Sequence, residues 1–91
     1  MKAADEKLLK DTICNICRLE LKKEEIEQKL KNEQTDLIES LGFDSFLMVE
    51  LVVELEAAFD MEFDVNDMDM EELKIYGGLK AAVEKRLDGD V

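Results

Sequence analysis

Leu41-Gly42-Phe43-Asp44-Ser45-Phe46 runs directly into Leu47-Met48-Val49-Glu50-Leu51-Val52-Val53-Glu54-Leu55-Glu56-Ala57-Ala58-Phe59. Gly42 marks a bend that other residues make with strain. Asp44 is a good N-cap, because its carboxylate can accept from the free amides of a first helical turn. A helix should therefore begin at Asp44 or Ser45 and end near Asp60. At roughly 100° per residue, Met48, Leu51, Val52, Leu55, Ala58 and Phe59 share one side, the expected core stripe. Phe46, Val49, Val53 and Ala57 share the opposite side, interleaved with Glu50 and flanked by Glu54, Glu56 and Asp60. A helix in a small bundle needs only one apolar stripe. The second must be covered by the N-terminal segment or the 27–36 stretch, or be left exposed as a charge-rimmed surface that binds protein.

Around this helix the chain reads as further helices. The first should run from Ala4 or Asp5 to near Leu19, with Leu8, Leu9, Thr12, Ile13 and Ile16 inward and Lys7, Lys10, Asp11 and Arg18 facing water. Residues 20–26 contain no breaker, so either the helix continues or a turn starts near Lys22, and Leu21, Ile26 and Leu30 anchor this part to the core. Residues 27–36 are mostly polar and read as a surface loop with at most one helical turn. Leu37, Ile38 and Leu41 return the chain to the core. After the central helix, Glu62-Phe63-Asp64 reads as a short extended link. Asn66 or Asp67 can cap a short helix through about Met68–Lys74. Gly77-Gly78 should break the chain before a last helix over Leu79–Leu87, where Val83 and Leu87 lie on the face of Leu79 or Ala82. The expected fold is all-α: one domain over residues 1–91, a small bundle of three main helices plus one short helix.

Ninety-one residues with 46% hydrophobic content suffice for one modest core. Aromatics are only 5% and proline is absent, so that core is aliphatic and the helices are interrupted by few breakers. The net charge of −12 repels phosphate, which argues against nucleic acid and anionic membrane surfaces and for protein partners with basic patches. No segment approaches the ~20 apolar residues of a membrane span. The first residues, Met1-Lys2-Ala3-Ala4-Asp5-Glu6, do not continue into a signal-peptide core, so a cytoplasmic location is expected. Self-association is not expected, and the chain should be a monomer.

Two metal patterns fail. Cys14 and Cys17 have Cys-x-x-Cys spacing, but the chain has no histidine and no further cysteine to complete a zinc site. They read as small residues on a helix. Asp64-Val65-Asn66-Asp67-Met68-Asp69-Met70-Glu71-Glu72 lacks the fifth-position oxygen and sixth-position glycine of a calcium loop when read from Asp64, and the glycine when read from Asp67. No metal site is expected.

Ser45 is the chemically distinctive residue. As a nucleophile it would need a general base and an oxyanion site, and there is no histidine. Gly-Phe-Asp-Ser-Phe also lacks the second glycine of a nucleophile elbow. Catalysis by this chain is therefore not expected. As the target of a modifying enzyme the serine makes physical sense: a helix start, with its unpaired amides and positive dipole end, suits a phosphate ester. Read from the residues alone, a plain helix-start serine remains open.

Leu41-Gly42-Phe43-Asp44-Ser45-Phe46, with Val49-Glu50-Leu51 and Leu55-Glu56-x-x-Phe59, resembles the acyl carrier protein family and its peptidyl carrier relatives. The likeness covers about residues 37–87. It implies that a phosphopantetheinyl transferase attaches 4′-phosphopantetheine to Ser45, beside Asp44, and that acyl or aminoacyl groups ride on the arm as thioesters. It further implies that acyl- or aminoacyl-loading and chain-processing enzymes with basic patches dock on Phe46, Leu47, Val49, Glu50, Val53, Glu54, Glu56 and Asp60. The cargo stays open. The acidity and freestanding length lean toward an acyl carrier, of the fatty-acid or polyketide kind. Phe46 in place of the usual leucine leans toward an aminoacyl or peptidyl carrier of a nonribosomal-peptide or D-alanyl-type pathway. Leu47 where a polar residue is usual, Ile75 where threonine is common, and the long polar segment before Leu37 set this chain apart. An acidic adaptor without the arm is the remaining alternative.

Overall fold

A computed structural model describes residues 2–63 and 69–88. Six helices are present among them: α1 (Ala3–Ile16), α2 (Lys23–Leu30), α3 (Leu37–Leu41), α4 (Ser45–Phe59), α5 (Met70–Leu73) and α6 (Tyr76–Asp88). The all-α expectation holds, with α2 and α3 added to the expected set. The core is aliphatic: Leu9, Ile13, Leu37, Leu41, Met48, Leu51, Leu55, Leu79 and Val83 are fully buried, and Tyr76 is its one buried hydroxyl-bearing ring.

Helix α1 ends at Ile16 rather than near Leu19. Its buried stripe is Leu9, Thr12, Ile13 and Ile16, while Leu8 is exposed, contrary to expectation. The spacing explains this: 9, 12, 13 and 16 close an i, i+3, i+4, i+7 face, and Leu8 falls off its edge. Buried Thr12 satisfies its own hydroxyl by donating to the Leu8 carbonyl at 2.8 Å.

The 27–36 stretch is not a loop throughout. Residues 23–30 are helical, because Ile26 and Leu30 are one turn apart and both buried. The remaining polar residues are tied down. Leu37 N–H donates to the Lys74 carbonyl, Tyr76 N–H to Thr35 and Gly77 N–H to Glu33, around an isolated antiparallel bridge between Asp36 and Ile75.

Gly77-Gly78 does not break the chain. Both lie in the first turn of α6, which starts at Tyr76. Their role is close approach: a Cβ on Gly78 would run into the Glu72 carbonyl of α5, and one on Gly77 would lie 2.9 Å from the Glu33 carbonyl oxygen. Helix α5 is capped by Asp69, whose carboxylate accepts from Glu71 N–H at 3.0 Å. The expected caps Asn66 and Asp67, with Asp64, Val65 and Met68 of the expected link, short helix and calcium pattern, lie outside the described residues. Phe63 is buried, so the link after α4 is a core contact as well as a connection.

One polar cluster joins distant parts of the chain. Lys80 Nζ lies 2.7 Å from Glu6 Oε2 and 3.3 Å from Glu33 Oε2, and the buried Tyr76 hydroxyl reaches Glu6 at 3.5 Å. The Lys80 hydrogen bond holds the Glu6 carboxyl below its usual range, and burial pushes the Tyr76 phenol well above its own. The two signs are opposite. A depressed carboxyl stabilises the fold above its unfolded value of ~4.3, and that contribution fades as pH falls through the folded value. A raised phenol stabilises it below ~10 and that contribution fades as pH rises beyond. Asp11, held low by the Lys23 hydrogen bond, adds to the acid limb. Thermal melts at about 0.2 M salt, where charge repulsion is screened, should show a plateau at neutral pH with falls on both sides. Glu6→Gln should flatten the acid limb, and an unchanged acid limb would mean that this cluster does not couple to folding.

Candidate functional site

The turn before α4 is built from two local devices. Asp36 caps α3, its carboxylate accepting from Ile38 and Glu39 N–H, and Gly42 ends that helix in the left-handed region at φ 70°. A side chain there would be strained by the backbone and crowded by Leu19, whose Cγ would lie 3.0 Å from a Cβ. Phe43 then plugs the core, and Asp44 caps α4 by accepting from Leu47 N–H at 2.8 Å. Ser45 follows as the first residue of α4 and is exposed.

This placement leaves the serine hydroxyl facing solvent at the positive end of a 15-residue helix. The Asp44 carboxylate takes only one first-turn amide, that of Leu47, and the Met48 amide bonds to the Asp44 carbonyl. The amides at the very start of the helix are left to meet an anion. These donors suit a phosphodiester on Ser45. Asp44→Ala should cost about 1 kcal/mol through loss of the cap. That is a fall of about 4–8 °C in melting temperature for a domain of this size, readable by circular dichroism. No measurable change would show that the cap is not stabilising α4.

The outer face of α4 is open. Phe46, Val49 and Val53 are 73%, 51% and 55% exposed, so neither the N-terminal segment nor residues 27–36 cover the second apolar stripe. Ala57, Glu54 and Asp60 are exposed with them. Asp60 ends α4 in the left-handed region, its N–H donating to the Glu56 carbonyl.

Three expected members of this surface sit differently. Leu47 is only 7% exposed and belongs to the core, because it shares the 47, 51, 55 row with Leu51 and Leu55. Glu56 is half-buried and accepts from Phe63 N–H at 2.9 Å, so it anchors the chain leaving α4. Glu50 is half-buried and pairs with Arg18 at 3.4 Å. Within the core stripe, Met48, Leu51, Val52 and Leu55 are buried as expected, whereas Ala58 is exposed and Phe59 half-buried. Ala58 and Phe59 lie in the last turn of α4, beyond the buried run from Leu47 to Leu55.

Sequence reasoning missed one neighbour of the site, the segment between α1 and α2. Cys17 Sγ donates to the Leu41 carbonyl at 3.4 Å and Leu19 lies against Gly42. No local signal points to these pairings, which join positions far apart in the chain. Both cysteines are free thiols, and burial pushes the Cys14 thiol above its usual range, which suits packing rather than reactivity. Among the described residues no cluster of acids and thiols is arranged to hold a metal ion, and no helix is long and apolar enough to cross a membrane.

Comparison with known proteins bears on this site. A family model described as "Phosphopantetheine attachment site" matches residues 8–74. An acyl carrier protein of Thermotoga maritima is 32% identical over 62 residues, a span covering 68% of this chain and 74% of that protein. No solved structure matches.

Proposed function

We propose, because this chain belongs to the acyl carrier protein family and contains that family's phosphopantetheine attachment domain, that it is an acyl carrier loaded at Ser45. As a member of that family it is a carrier, not an enzyme, its cofactor is covalent 4′-phosphopantetheine, and a phosphopantetheinyl transferase installs it. The finer reading concerns the residue and the cargo. The observation that carries the assignment of Ser45 is its exposed position as the first residue of α4, behind the Asp44 cap. When bound, the arm supplies a thiol that holds acyl groups as thioesters. Ser45 would hold its phosphate, the first turn of α4 would stabilise the phosphate charge, and Asp44 would keep that turn formed.

The exposed face of α4 is the surface we assign to partners: Phe46, Val49 and Val53 as apolar anchors, Glu54 and Asp60 as the acidic rim, and Glu50 between them. Rim charges of this kind set association rate and salt sensitivity more than affinity. A tethered substrate then meets each partner's active site at high effective concentration. We read the described residues, which pack around one core, as a single carrier unit that works as a monomer.

An acyl cargo is favoured by the similarity to an acyl carrier protein. An aminoacyl or peptidyl cargo is the second reading, supported by the Asp44-Ser45-Phe46 sequence. Incubation with coenzyme A and a broad-specificity phosphopantetheinyl transferase should add the mass of one arm. Mass analysis of protein from its native cells should show an acyl thioester. No arm in the first experiment would sink the carrier reading, and an amino acid in the second would overturn the acyl one.

A further inference from the structure

The segment joining α1 to α2 is held beside the Ser45 turn by three contacts. Cys17 bonds the Leu41 carbonyl, Leu19 lies against Gly42, and Arg18 Nη2 lies 3.4 Å from Glu50 Oε2. Glu50 is one helical turn beyond Phe46 on the outer side of α4, between the exposed Phe46 and Val53. The sequence has no lysine or arginine between Lys31 and Lys74. Helix α4 therefore has no cation of its own, and the one paired with Glu50 is brought by the fold from residue 18. The side chains of that pair are 66% and 37% exposed, so the pair is screened by water and contributes little to folding. A pair of this kind can be displaced.

We propose that Arg18 is a specificity-determining residue, an internal competitor that occupies Glu50 until a partner's own cation replaces it. The inference rests on the carrier reading of Ser45. The partner it fits is an enzyme surface with an apolar depression for Phe46, Val49 and Val53 and an arginine or lysine at its edge, complementary to Glu50, Glu54 and Asp60. Such a partner must first break the internal pair, and it then meets the released guanidinium as a like charge at the rim. A partner with a forked guanidinium in place gains enough to do so, whereas one with a weakly placed cation does not. Arg18 thereby lowers docking in general and sharpens the choice among partners.

The probe is a broad-specificity phosphopantetheinyl transferase with coenzyme A, because any enzyme that reaches Ser45 must approach this face. Arg18→Gln should lower the KM for the apo-protein about two- to fivefold at low salt, the range of an exposed ion pair. kcat should be unchanged, and the effect should vanish at about 0.5 M salt. Glu50→Gln should raise KM, and adding Arg18→Gln to it should lower KM by less than Arg18→Gln does alone, since the pair is already lost and only the like charge at the rim remains to be relieved. Lys29→Gln, on the exposed side of α2, removes the same charge and should leave KM near the wild type. A KM that is unchanged or raised in Arg18→Gln, or lowered equally by Lys29→Gln, overturns the inference while leaving the carrier reading intact. Failure to load the wild type overturns the carrier reading and this inference with it.

Discussion

Ser45→Ala is expected to abolish arm loading completely while leaving the fold as stable as the wild type. The loss should be total because no other hydroxyl can substitute. The chain has two serines, two threonines and one tyrosine. Ser40 is half-buried within α3, and Tyr76 is buried. Thr12 donates to the Leu8 carbonyl and Thr35 to the Lys29 carbonyl. Only Ser45 stands exposed at the start of a long helix. The fold should be indifferent because the cap belongs to Asp44, whose carboxylate already serves Leu47 N–H. An exposed serine-to-alanine change away from such features stays within about 0.5 kcal/mol. The two readouts are intact mass after incubation with transferase and coenzyme A, and a thermal melt. An arm on the Ser45→Ala protein would remove Ser45 as the attachment point. A large drop in melting temperature would mean the serine has a structural role that its surroundings do not account for.

Gly78→Ala is the substitution for which helix propensity and tertiary packing give opposite signs. Gly78 lies in the first turn of α6, and replacing a helical glycine with alanine ordinarily stabilises by up to about 1 kcal/mol. Here the new Cβ would strike the Glu72 carbonyl oxygen, and it would lie 3.0 Å from the carbonyl carbon and 3.5 Å from the Cα. These are backbone atoms of α5 and cannot swing aside like the end of a long side chain. Helix α5 is itself pinned by the Asp69 cap and by Leu73 in the core. Separating α5 from α6 would loosen contacts among Leu73, Tyr76 and Leu79. We expect a net loss of about 2 kcal/mol, a fall of roughly 10 °C in melting temperature. Ala81→Gly, at an exposed position of the same helix, is the gauge: it should cost only the propensity difference. A Gly78→Ala protein that melts higher than the wild type would refute the close approach of α5 to α6.

The contrast between Gly42 and Gly78 shows what a sequence makes legible. Gly42 could be read in advance because its function is local: a left-handed residue between one helix and the capping aspartate of the next. The cap at Asp44, the start of α4 and the solvent-facing stripe of Phe46, Val49 and Val53 are local in the same sense, and all were expected at the positions observed. Gly77 and Gly78 read as a break because sequence offers conformational freedom as the default meaning of glycine. Their meaning is instead the nearness of Glu33 and Glu72, which no window along the chain contains. The polar 27–36 stretch read as a loop with one helical turn, and 27–30 does complete a helix that starts at Lys23; its start was not legible because two buried residues, Ile26 and Leu30, are enough to hold a short helix once α1 is there to receive them.

The same division runs through the site. Sequence alone determined the class of fold and the one serine with no catalytic company, because helix periodicity, capping chemistry and the absence of histidine are properties of composition and short spacing; the carrier family came instead from the resemblance of residues 41–59 to known carriers. It also located the apolar outer face of α4, since a helical wheel needs no partner. Tertiary structure alone decided which members of that face are available. Burial draws Leu47 inward along the row it shares with Leu51 and Leu55, Phe63 engages Glu56, and Arg18 crosses from another segment to occupy Glu50. These outcomes depend on which chain segments meet across the fold, and a side chain's availability to a partner is set by those meetings rather than by its place in a pattern.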